Sequence, residues 1–382
     1  MERSSRGQVD AFIVMDMVAQ ARALEGQGRS IIHMEVGQPG TPAPARARAA
    51  VAAALSRDTM GYTVSLGLPD LRQGIAALYR RWYGIDLNPD RVIVTSGSSG
   101  AFVLAFSALF DVGAKVGMGE PGYPSYRQIL KALSLVPIGI PTSVENRLQP
   151  TPADLQSLDL QGLIVASPGN PSGTMLSRDA LAALIAHCDQ HNIRFISDEI
   201  YHGLHYDSRA TSALEITDNA YVINSFSKYF SMTGWRVGWM VVPENHIRTV
   251  ERLAQNLFIC APHIAQIAAL AALDSEDELQ ANRAVYATNR ALMLTGLAAA
   301  GFSKIAPPDG AFYIYADVSD LTDDSFALAG DILHQAGVAV SPGLDFDPVR
   351  GNHTLRFSYA GASADIAEGL HRLTAFMAKR RR

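Results

Sequence analysis

Residues 225–236 read Ser225-Phe226-Ser227-Lys228-Tyr229-Phe230-Ser231-Met232-Thr233-Gly234-Trp235-Arg236 and directly follow a short apolar run, Ala220–Asn224. Such a run is typical of a strand that is buried on both faces of a parallel sheet. Lys228 therefore lies just beyond a buried strand, where desolvation and neighbouring cations lower the pKa of a lysine and make its amine nucleophilic. Arg236 can bind a phosphate through two parallel hydrogen bonds. Taken alone, each residue is explained more simply as a surface cation.

The apolar run before this stretch is one of several that predict the strands of one sheet. Seven runs share this character: Arg91–Thr95, Lys115–Met118, Val136–Ile140, Gly162–Ala166, Ile193–Ser197, Ala220–Asn224 and Val237–Val242. Helical segments lie between several of them, and alternating strands and helices indicate a mainly parallel sheet. We expect an α/β fold whose large domain, residues 36–280, holds a mostly parallel seven-stranded sheet between helices. Residues 1–35 and 281–382 are expected to form a smaller α+β domain from both ends of the chain.

The composition is that of a compact globular protein. The chain has 382 residues, 48% of them hydrophobic and 18% charged, which excludes a disordered or coiled-coil protein. A net charge of −5 gives no general attraction to nucleic acid or anionic lipid. The apolar stretches are too short to span a bilayer, and the N-terminus lacks the apolar segment of a signal peptide. Two cysteines without C-x-x-C spacing fit a reducing compartment, so a cytoplasmic location is expected.

Polar residues follow four of the predicted strands, and ligands of open α/β sheets bind at that edge. The first strand is followed by Ser96-Gly97-Ser98-Ser99-Gly100, whose amides and hydroxyls at a helix start suit a phosphate. Later strands are followed by Ser167-Pro168-Gly169-Asn170 and by Asp198-Glu199-Ile200-Tyr201. A helix cap, an ion pair and a core tyrosine explain these elements one by one. Together they offer a phosphate site, a carboxylate for a ring nitrogen, a phenol, an amide and an amine, which are the partners that pyridoxal phosphate needs.

At this point the sequence resembles the class I and II aminotransferases, which are pyridoxal 5′-phosphate enzymes of the aspartate aminotransferase fold (fold type I). The similarity runs from Val36-Gly37-Gln38-Pro39 to Leu355-Arg356-Phe357-Ser358. The lysine stretch of residues 225–238 matches the family motif closely, and Asn170-Pro171-x-Gly173 and Asp198-Glu199-x-Tyr201 are in register with it. The resemblance implies transfer of an amino group between an amino acid and a 2-oxo acid by a ping-pong mechanism.

The resemblance also implies roles for individual residues. Lys228 would bond covalently to the cofactor and move the substrate proton, while Asp198 would keep the pyridine nitrogen protonated. Asn170 and Tyr201 would hydrogen-bond the 3-oxygen of the ring. Three further sets are implied: a phosphate site of Ser98, Ser99, Ser225, Ser227 and Arg236, a ring-stacking Tyr123, and a substrate site of Gly37, Asn170 and Arg356, in which Gly37 and Arg356 would hold the α-carboxylate. Tyr62 would reach the phosphate of a neighbouring subunit, which implies a homodimer with shared active sites.

Three alternatives remain beside amino transfer. A pyridoxal-phosphate lyase, for example a C–S β-lyase, would use the same lysine, aspartate and phosphate site. A transcription regulator would need a DNA-binding module, and the residues before Gly37 show no helix-turn-helix or basic character. A metal site would have to use His187, Cys188 and His191, or the pair His202 and His205, but neither set has the spacing of a known motif. The side-chain specificity is not readable from the sequence.

Overall fold

The computed structural model describes residues 3–380. Its strands are β1 Ile32–His33, β2 Val92–Thr95, β3 Lys115–Glu120, β4 Val136–Pro141, β5 Gly162–Ala166, β6 Arg194–Asp198, β7 Tyr221–Ser225, β8 Gly238–Val241, β9 Lys304–Ile305, β10 Tyr313–Asp317, β11 Val338–Ala339, β12 Ser341–Pro342 and β13 Thr354–Ser358. Its helices are α1 Ile13–Gly26, α2 Ala45–Leu55, α3 Pro69–Tyr83, α4 Gly97–Leu109, α5 Pro124–Ala132, α6 Pro152–Leu155, α7 Arg178–Gln190, α8 Ile247–Leu257, α9 His263–Ala272, α10 Glu276–Ala300, α11 Ser325–Asp331 and α12 Ser363–Arg380.

Each of the seven predicted runs falls on a strand of one sheet. The strand order is β2-β8-β7-β6-β5-β3-β4, and β8 alone runs antiparallel to its neighbours. The expected mostly parallel seven-stranded sheet is therefore confirmed. β6 and β7 each extend one residue further than predicted, so Asp198 and Ser225 are their last residues. This edge, at the carboxyl ends of the parallel strands, is where the fold places ligand-binding side chains.

Residues from both ends of the chain form smaller sheets. β12, β13, β10 and β9 make an antiparallel sheet, while β1 pairs in parallel with β11, so that Ile32 lies opposite Val338. α10 and α12 pack against each other over this part of the molecule. α10 runs without interruption through the predicted boundary at residue 280, and residues 1, 2, 381 and 382 of the predicted small domain lie outside the described residues. The division into two domains stays a prediction.

Local sequence explains how the main helices begin and end. α3 begins with Pro69, whose missing N–H is not needed at that position. The helix is terminated after Tyr83 by Gly84, which has the left-handed conformation. α7 begins after Ser177, whose side chain accepts a hydrogen bond from the amide of Ala180. Within the described residues, no helix combines the length and the apolar character that crossing a bilayer requires.

Candidate active site

A cavity of about 240 Å³ opens at the carboxyl ends of β5, β6 and β7, beside the start of α4. All the predicted site residues except Ser225 and Tyr62 line it, namely Gly37, Ser98, Ser99, Tyr123, Asn170, Asp198, Tyr201, Ser227, Lys228, Arg236 and Arg356. The fold thus brings together residues that are more than 300 positions apart in the chain. Strand ends of the large sheet supply some of them, and the N-terminal segment and the small sheet supply Gly37 and Arg356.

Asp198 presents a buried carboxylate to this cavity. Its Oδ2 accepts a hydrogen bond from the Tyr126 hydroxyl, and its Oδ1 accepts one from the amide of Ile200 at 3.1 Å. Burial raises the pKa of Asp198 to about 6, although these two hydrogen bonds act in the opposite direction. The carboxylate is therefore ionised at neutral pH and suited to pair with a cationic ring nitrogen. Sequence reasoning gave Tyr126 no role, although it lies three residues beyond Tyr123 at the start of α5.

Lys228 lies opposite Asp198 in the same cavity. Its Nζ donates a hydrogen bond to the carbonyl oxygen of Gly37 at 2.5 Å. The pKa of Lys228 is lowered to about 7, mainly by burial and then by the charges of Arg356 and Arg236, while Asp198 acts in the opposite direction. A substantial fraction of the amine is therefore neutral near pH 7, as a nucleophile or a general base requires.

The residues predicted to bind the phosphate gather around the start of α4. Gly97 has φ +70°, and a Cβ atom there would collide with the guanidinium of Arg236. Glycine at this position therefore permits the arginine to lie against the backbone. The guanidinium donates to the carbonyl oxygen of Thr233 at 2.9 Å and to Ser227 Oγ at 3.5 Å. A helix N-terminus, hydroxyls and a guanidinium thus converge on one place, which is a combination that binds phosphate.

Two predicted cofactor contacts lie outside the lining of the cavity. Ser225 is buried, and its hydroxyl donates to Ser227 Oγ at 2.9 Å, while the carbonyl oxygen of Val237 lies 3.1 Å from it. Ser225 therefore contacts Ser227, which lines the cavity, and orients the Ser227 hydroxyl. Tyr62 is 83% exposed in the single chain and does not line the cavity. Direct contact of either residue with a phosphate stays a prediction.

Arg356 forms the other end of the cavity and is almost completely buried. Its Nη1 donates to Asn170 Oδ1 at 2.9 Å, and its Nη2 donates to the carbonyl oxygen of Glu35 and to Ser341 Oγ at 3.1 Å. The guanidinium carbon lies 4.6 Å from the centre of the Phe346 ring. The buried Nε has no hydrogen-bond partner within residues 3–380. A buried, charged donor without a partner is costly, so this geometry favours an anionic ligand.

Tyr313 is a further lining residue that sequence reasoning missed. It lies on β10, and the β10–β13 register places it on the same face as Arg356, whose guanidinium carbon is 4.5 Å from its ring centre. Its hydroxyl is 2.8 Å from the hydroxyl of Tyr201. A Cβ atom at Gly37 would collide with that same hydroxyl. No local pattern around Tyr313 signals these contacts, because they depend on how the small sheet packs against the large one.

The remaining side of the cavity is apolar. Phe12, Val14, Met15 and Val36 line it, and Phe12 packs edge-on against Tyr123 with ring centres 6.2 Å apart. These side chains belong to the N-terminal segment and the start of α1. The cavity therefore has an anionic-ligand end, a nucleophile with its carboxylate partner, and an apolar wall.

Comparison with known proteins decides the family. Residues 29–373 match the model of the family described as aminotransferase class I and II. The chain belongs to this family. As a class I/II aminotransferase it uses pyridoxal 5′-phosphate, and it transfers amino groups between amino acids and 2-oxo acids. The expectations for family, fold type, enzyme class and cofactor are thereby confirmed.

Individual relatives of this aminotransferase cover nearly the whole chain. The valine–pyruvate aminotransferase of Mycobacterium tuberculosis is 47% identical over 97% of both chains. A crystal structure of an aminotransferase candidate from Silicibacter pomeroyi is 65% identical, with TM-score 0.96 over 99% of this chain and 100% of that one. Aspartate aminotransferase from Thermus thermophilus with maleate is 30% identical, with TM-score 0.92 over 98% of this chain and 100% of that one.

The residues of this aminotransferase suit the cofactor. Asp198 is a buried carboxylate for the pyridine nitrogen, Lys228 is an amine with a depressed pKa for the aldehyde, and the start of α4 with Arg236 offers donors for the phosphate. Within residues 3–380, no group of three or more His, Cys, Asp or Glu side chains is arranged to hold a metal ion. The histidines considered above have other contacts, since the His187 and His191 rings stack with centres 4.1 Å apart.

Proposed function

We propose that this aminotransferase prefers amino acids with apolar side chains and uses a small 2-oxo acid such as pyruvate as acceptor. The observation that carries the proposal is the composition of the cavity, where the apolar wall of Phe12, Val14, Met15 and Val36 lies beside the residues for cofactor and carboxylate. The relative from Mycobacterium tuberculosis is named for valine and pyruvate, which supports the same specificity. The cationic side chains of the described lining are Lys228, Arg236 and Arg356. We assign them to proton transfer, to the phosphate and to the α-carboxylate, so none of them is left to pair with an acidic substrate side chain.

The residue roles that we propose follow from the geometry. Bound pyridoxal phosphate supplies an aldehyde that takes up the amino group and a ring that accepts electron density. Asp198 holds a proton on the ring nitrogen because a cation there offsets the cost of its own burial. Asn170 and Tyr201 donate hydrogen bonds to the 3-oxygen. Tyr123 covers the ring face. Ser98, Ser99, Ser227 and Arg236 bind the phosphate, with Ser225 supporting Ser227.

Lys228 is the proposed proton carrier. With the pKa of its amine lowered to about 7, Lys228 Nζ can accept the proton from the substrate Cα and release it again within the same cavity. The Gly37 carbonyl oxygen holds that amine in place through the 2.5 Å hydrogen bond. Arg356, which lines the cavity, binds the substrate α-carboxylate by charge-assisted hydrogen bonds.

A ping-pong order follows from the same residues. Among the described lining residues, Arg356 is the cation that we assign to an α-carboxylate, and the donor and the acceptor both carry one. The two substrates must therefore use Arg356 in turn, and the 2-oxo acid made from the donor leaves before the acceptor binds. Parallel lines in double-reciprocal plots at several acceptor concentrations are expected, and intersecting lines would contradict this order.

We also propose a homodimer with shared active sites in the cytoplasm. Tyr62, Val64, Leu257 and Ile259 are exposed apolar side chains near the start of α9, where the carbonyl oxygen of Gly61 lies 3.0 Å from His263 Nδ1. Such a patch fits a second copy of the chain. Mixing two inactive variants, Y62A and K228A, is expected to restore part of the activity, because one site of each mixed dimer contains both native residues. Absence of any restoration in proven mixed dimers would contradict the sharing.

A half-reaction screen tests the substrate proposal. Purified holoenzyme is mixed with one amino acid at a time, and the visible absorbance of the bound cofactor is followed to the amine form. L-Valine and L-alanine are expected to convert it much faster than L-aspartate. Faster conversion by L-aspartate would overturn the apolar specificity. Release of ammonia and a 2-oxo acid without that spectral change would instead indicate the lyase reaction of the same fold.

A further inference from the structure

Tyr313 contacts three of the residues to which we assign a role in the reaction, namely Tyr201, Arg356 and Gly37. The residue is 1% exposed and lies on β10, in the small antiparallel sheet, whereas Tyr201 and Lys228 belong to the large-sheet side of the cavity. The contact between the Tyr313 and Tyr201 hydroxyls, at 2.8 Å, therefore joins the two parts of the molecule. The two rings meet nearly edge-on, with an interplanar angle of 81° and centres 5.6 Å apart.

The space that Tyr313 occupies explains the glycine at position 37. A side chain on residue 37 would overlap the Tyr313 hydroxyl, so any other residue there would displace the phenol from Tyr201. The same Gly37 carbonyl oxygen accepts the hydrogen bond from Lys228. Gly37 thus serves two neighbours at once, and the position of the Tyr313 hydroxyl is fixed on one side by the backbone at residue 37.

The ring of Tyr313 also packs against the guanidinium of Arg356. The Arg356 guanidinium carbon lies 4.5 Å from its centre and 4.6 Å from the centre of the Phe346 ring, which is a favourable arrangement for a cation beside aromatic faces. Burial raises the pKa of Tyr313, and the charged and titratable groups that act on that pKa are Arg356, Tyr201 and Tyr123. The ring therefore supports the carboxylate-binding arginine, while the hydroxyl contacts Tyr201.

We propose that Tyr313 is a positioning residue whose hydroxyl donates to Tyr201 and thereby strengthens the hydrogen bond from Tyr201 to the 3-oxygen of the cofactor. The inference rests on the role proposed above for Tyr201. With the Tyr201 proton directed at the 3-oxygen, the Tyr313 hydroxyl is the donor in their contact. A hydroxyl that accepts a hydrogen bond becomes a stronger donor itself. The arrangement connects the arginine that binds the substrate carboxylate to the electronic state of the cofactor.

The pH titration of the visible absorbance of the holoenzyme tests this inference with Y313F. A hydrogen bond donated to the 3-oxygen disperses its negative charge, so a weaker donor leaves the protonated form of the bound cofactor stable to higher pH. Taking a 10–30% loss of a charge-assisted hydrogen bond, Y313F is expected to raise the midpoint by about 0.1–0.7 pH units. Because the ring beside Arg356 remains, the KM for the 2-oxo acid is expected to stay within about twofold while kcat falls.

The matched control is Y315F. Tyr315 lies two residues along the same strand, is also buried, and its hydroxyl lies 2.6 Å from Thr354 Oγ1, outside the cavity. Its loss is expected to leave the midpoint and kcat unchanged. Far-UV circular dichroism and cofactor content show whether each variant is folded and loaded. A Y313F holoenzyme with the midpoint of Y315F would overturn the inference.

A double-mutant cycle separates this inference from the proposed role of Tyr201. Y201F is expected to raise the midpoint more than Y313F, and Y201F/Y313F is expected to titrate like Y201F, because the Tyr313 hydroxyl acts on the cofactor only through Tyr201. Independent, additive shifts would overturn the inference while leaving the role of Tyr201 intact. A Y201F midpoint equal to that of the native enzyme would overturn the role of Tyr201, and the inference with it.

Discussion

Replacement of Arg356 by lysine provides a quantitative test of the carboxylate site. The guanidinium is held by Asn170, Glu35 and Ser341, and its buried Nε has no hydrogen-bond partner among the described residues. A lysine keeps the charge but can supply only one of the two parallel hydrogen bonds to a carboxylate. One charge-assisted hydrogen bond contributes about 1.5–3 kcal/mol, so kcat/KM for substrates with an α-carboxylate is expected to fall about 10- to 150-fold in R356K.

The assay compares L-valine with isobutylamine, which has the same side chain and amine but lacks the carboxylate. Half-reaction rates of the native enzyme and R356K are expected to differ for L-valine and to agree for isobutylamine. R290K serves as the matched control, because Arg290 also lies over a tyrosine ring, Tyr206 at 5.3 Å, but is outside the cavity. Equal losses for both substrates, or an unchanged rate with L-valine, would refute the assignment of Arg356 to the carboxylate.

Three further substitutions test the cofactor site and the apolar wall. Y126F removes the hydrogen bond that keeps the pKa of Asp198 from rising further, so the acid limb of the kcat/KM profile is expected to move up by about 1–2 pH units. G97A forces a left-handed alanine and displaces the Arg236 guanidinium, so the dissociation constant for pyridoxal phosphate is expected to rise about tenfold or more. M15R places a cation at a half-exposed position of the apolar wall. This change is expected to raise the preference for L-aspartate over L-valine about two- to fivefold at low salt.

Each of the three has a control of the same chemical kind. Y315F removes a buried hydroxyl that does not contact Asp198, and an equal shift of its acid limb would contradict the role of Tyr126. G113A places alanine at φ +84° where a Cβ meets nothing within 4 Å, so equal cofactor affinity of G97A and G113A would contradict the collision with Arg236. M15Q has a similar length without the charge, and the same change of preference in M15Q would exclude an electrostatic cause.

The large sheet and half of the site were predictable because their signals are local. Asp198 and Lys228 could be placed from the apolar runs that precede them, since the end of a parallel strand fixes where the next residues lie. The glycine and serines before α4 could be placed in the same way. Even the error of one residue at the ends of β6 and β7 left these side chains at the correct edge.

The other half could not be derived from local patterns. Arg356 was assigned only through the family resemblance, and Tyr313 was not assigned at all, although the two lie on adjacent strands of one small sheet. Their positions depend on how that sheet packs against the large one, and nothing in a five-residue strand specifies that packing. Tyr126 illustrates a third case, because its hydroxyl reaches Asp198 only through the angle at which α5 leaves β3.

The parallel pairing of β1 with β11 has a consequence for how the enzyme is made. Ile32 cannot pair with Val338 until β11 has been synthesised. Roughly 300 residues must leave the ribosome between the two strands, which takes about 15–60 s at ordinary rates of synthesis. The strands that carry Asp198 and Lys228 can assemble well before then. The N-terminal segment with Gly37 can complete its contacts only after Arg356 and Tyr313 have been made. The nascent chain thus acquires the cofactor-binding edge first and substrate selectivity last.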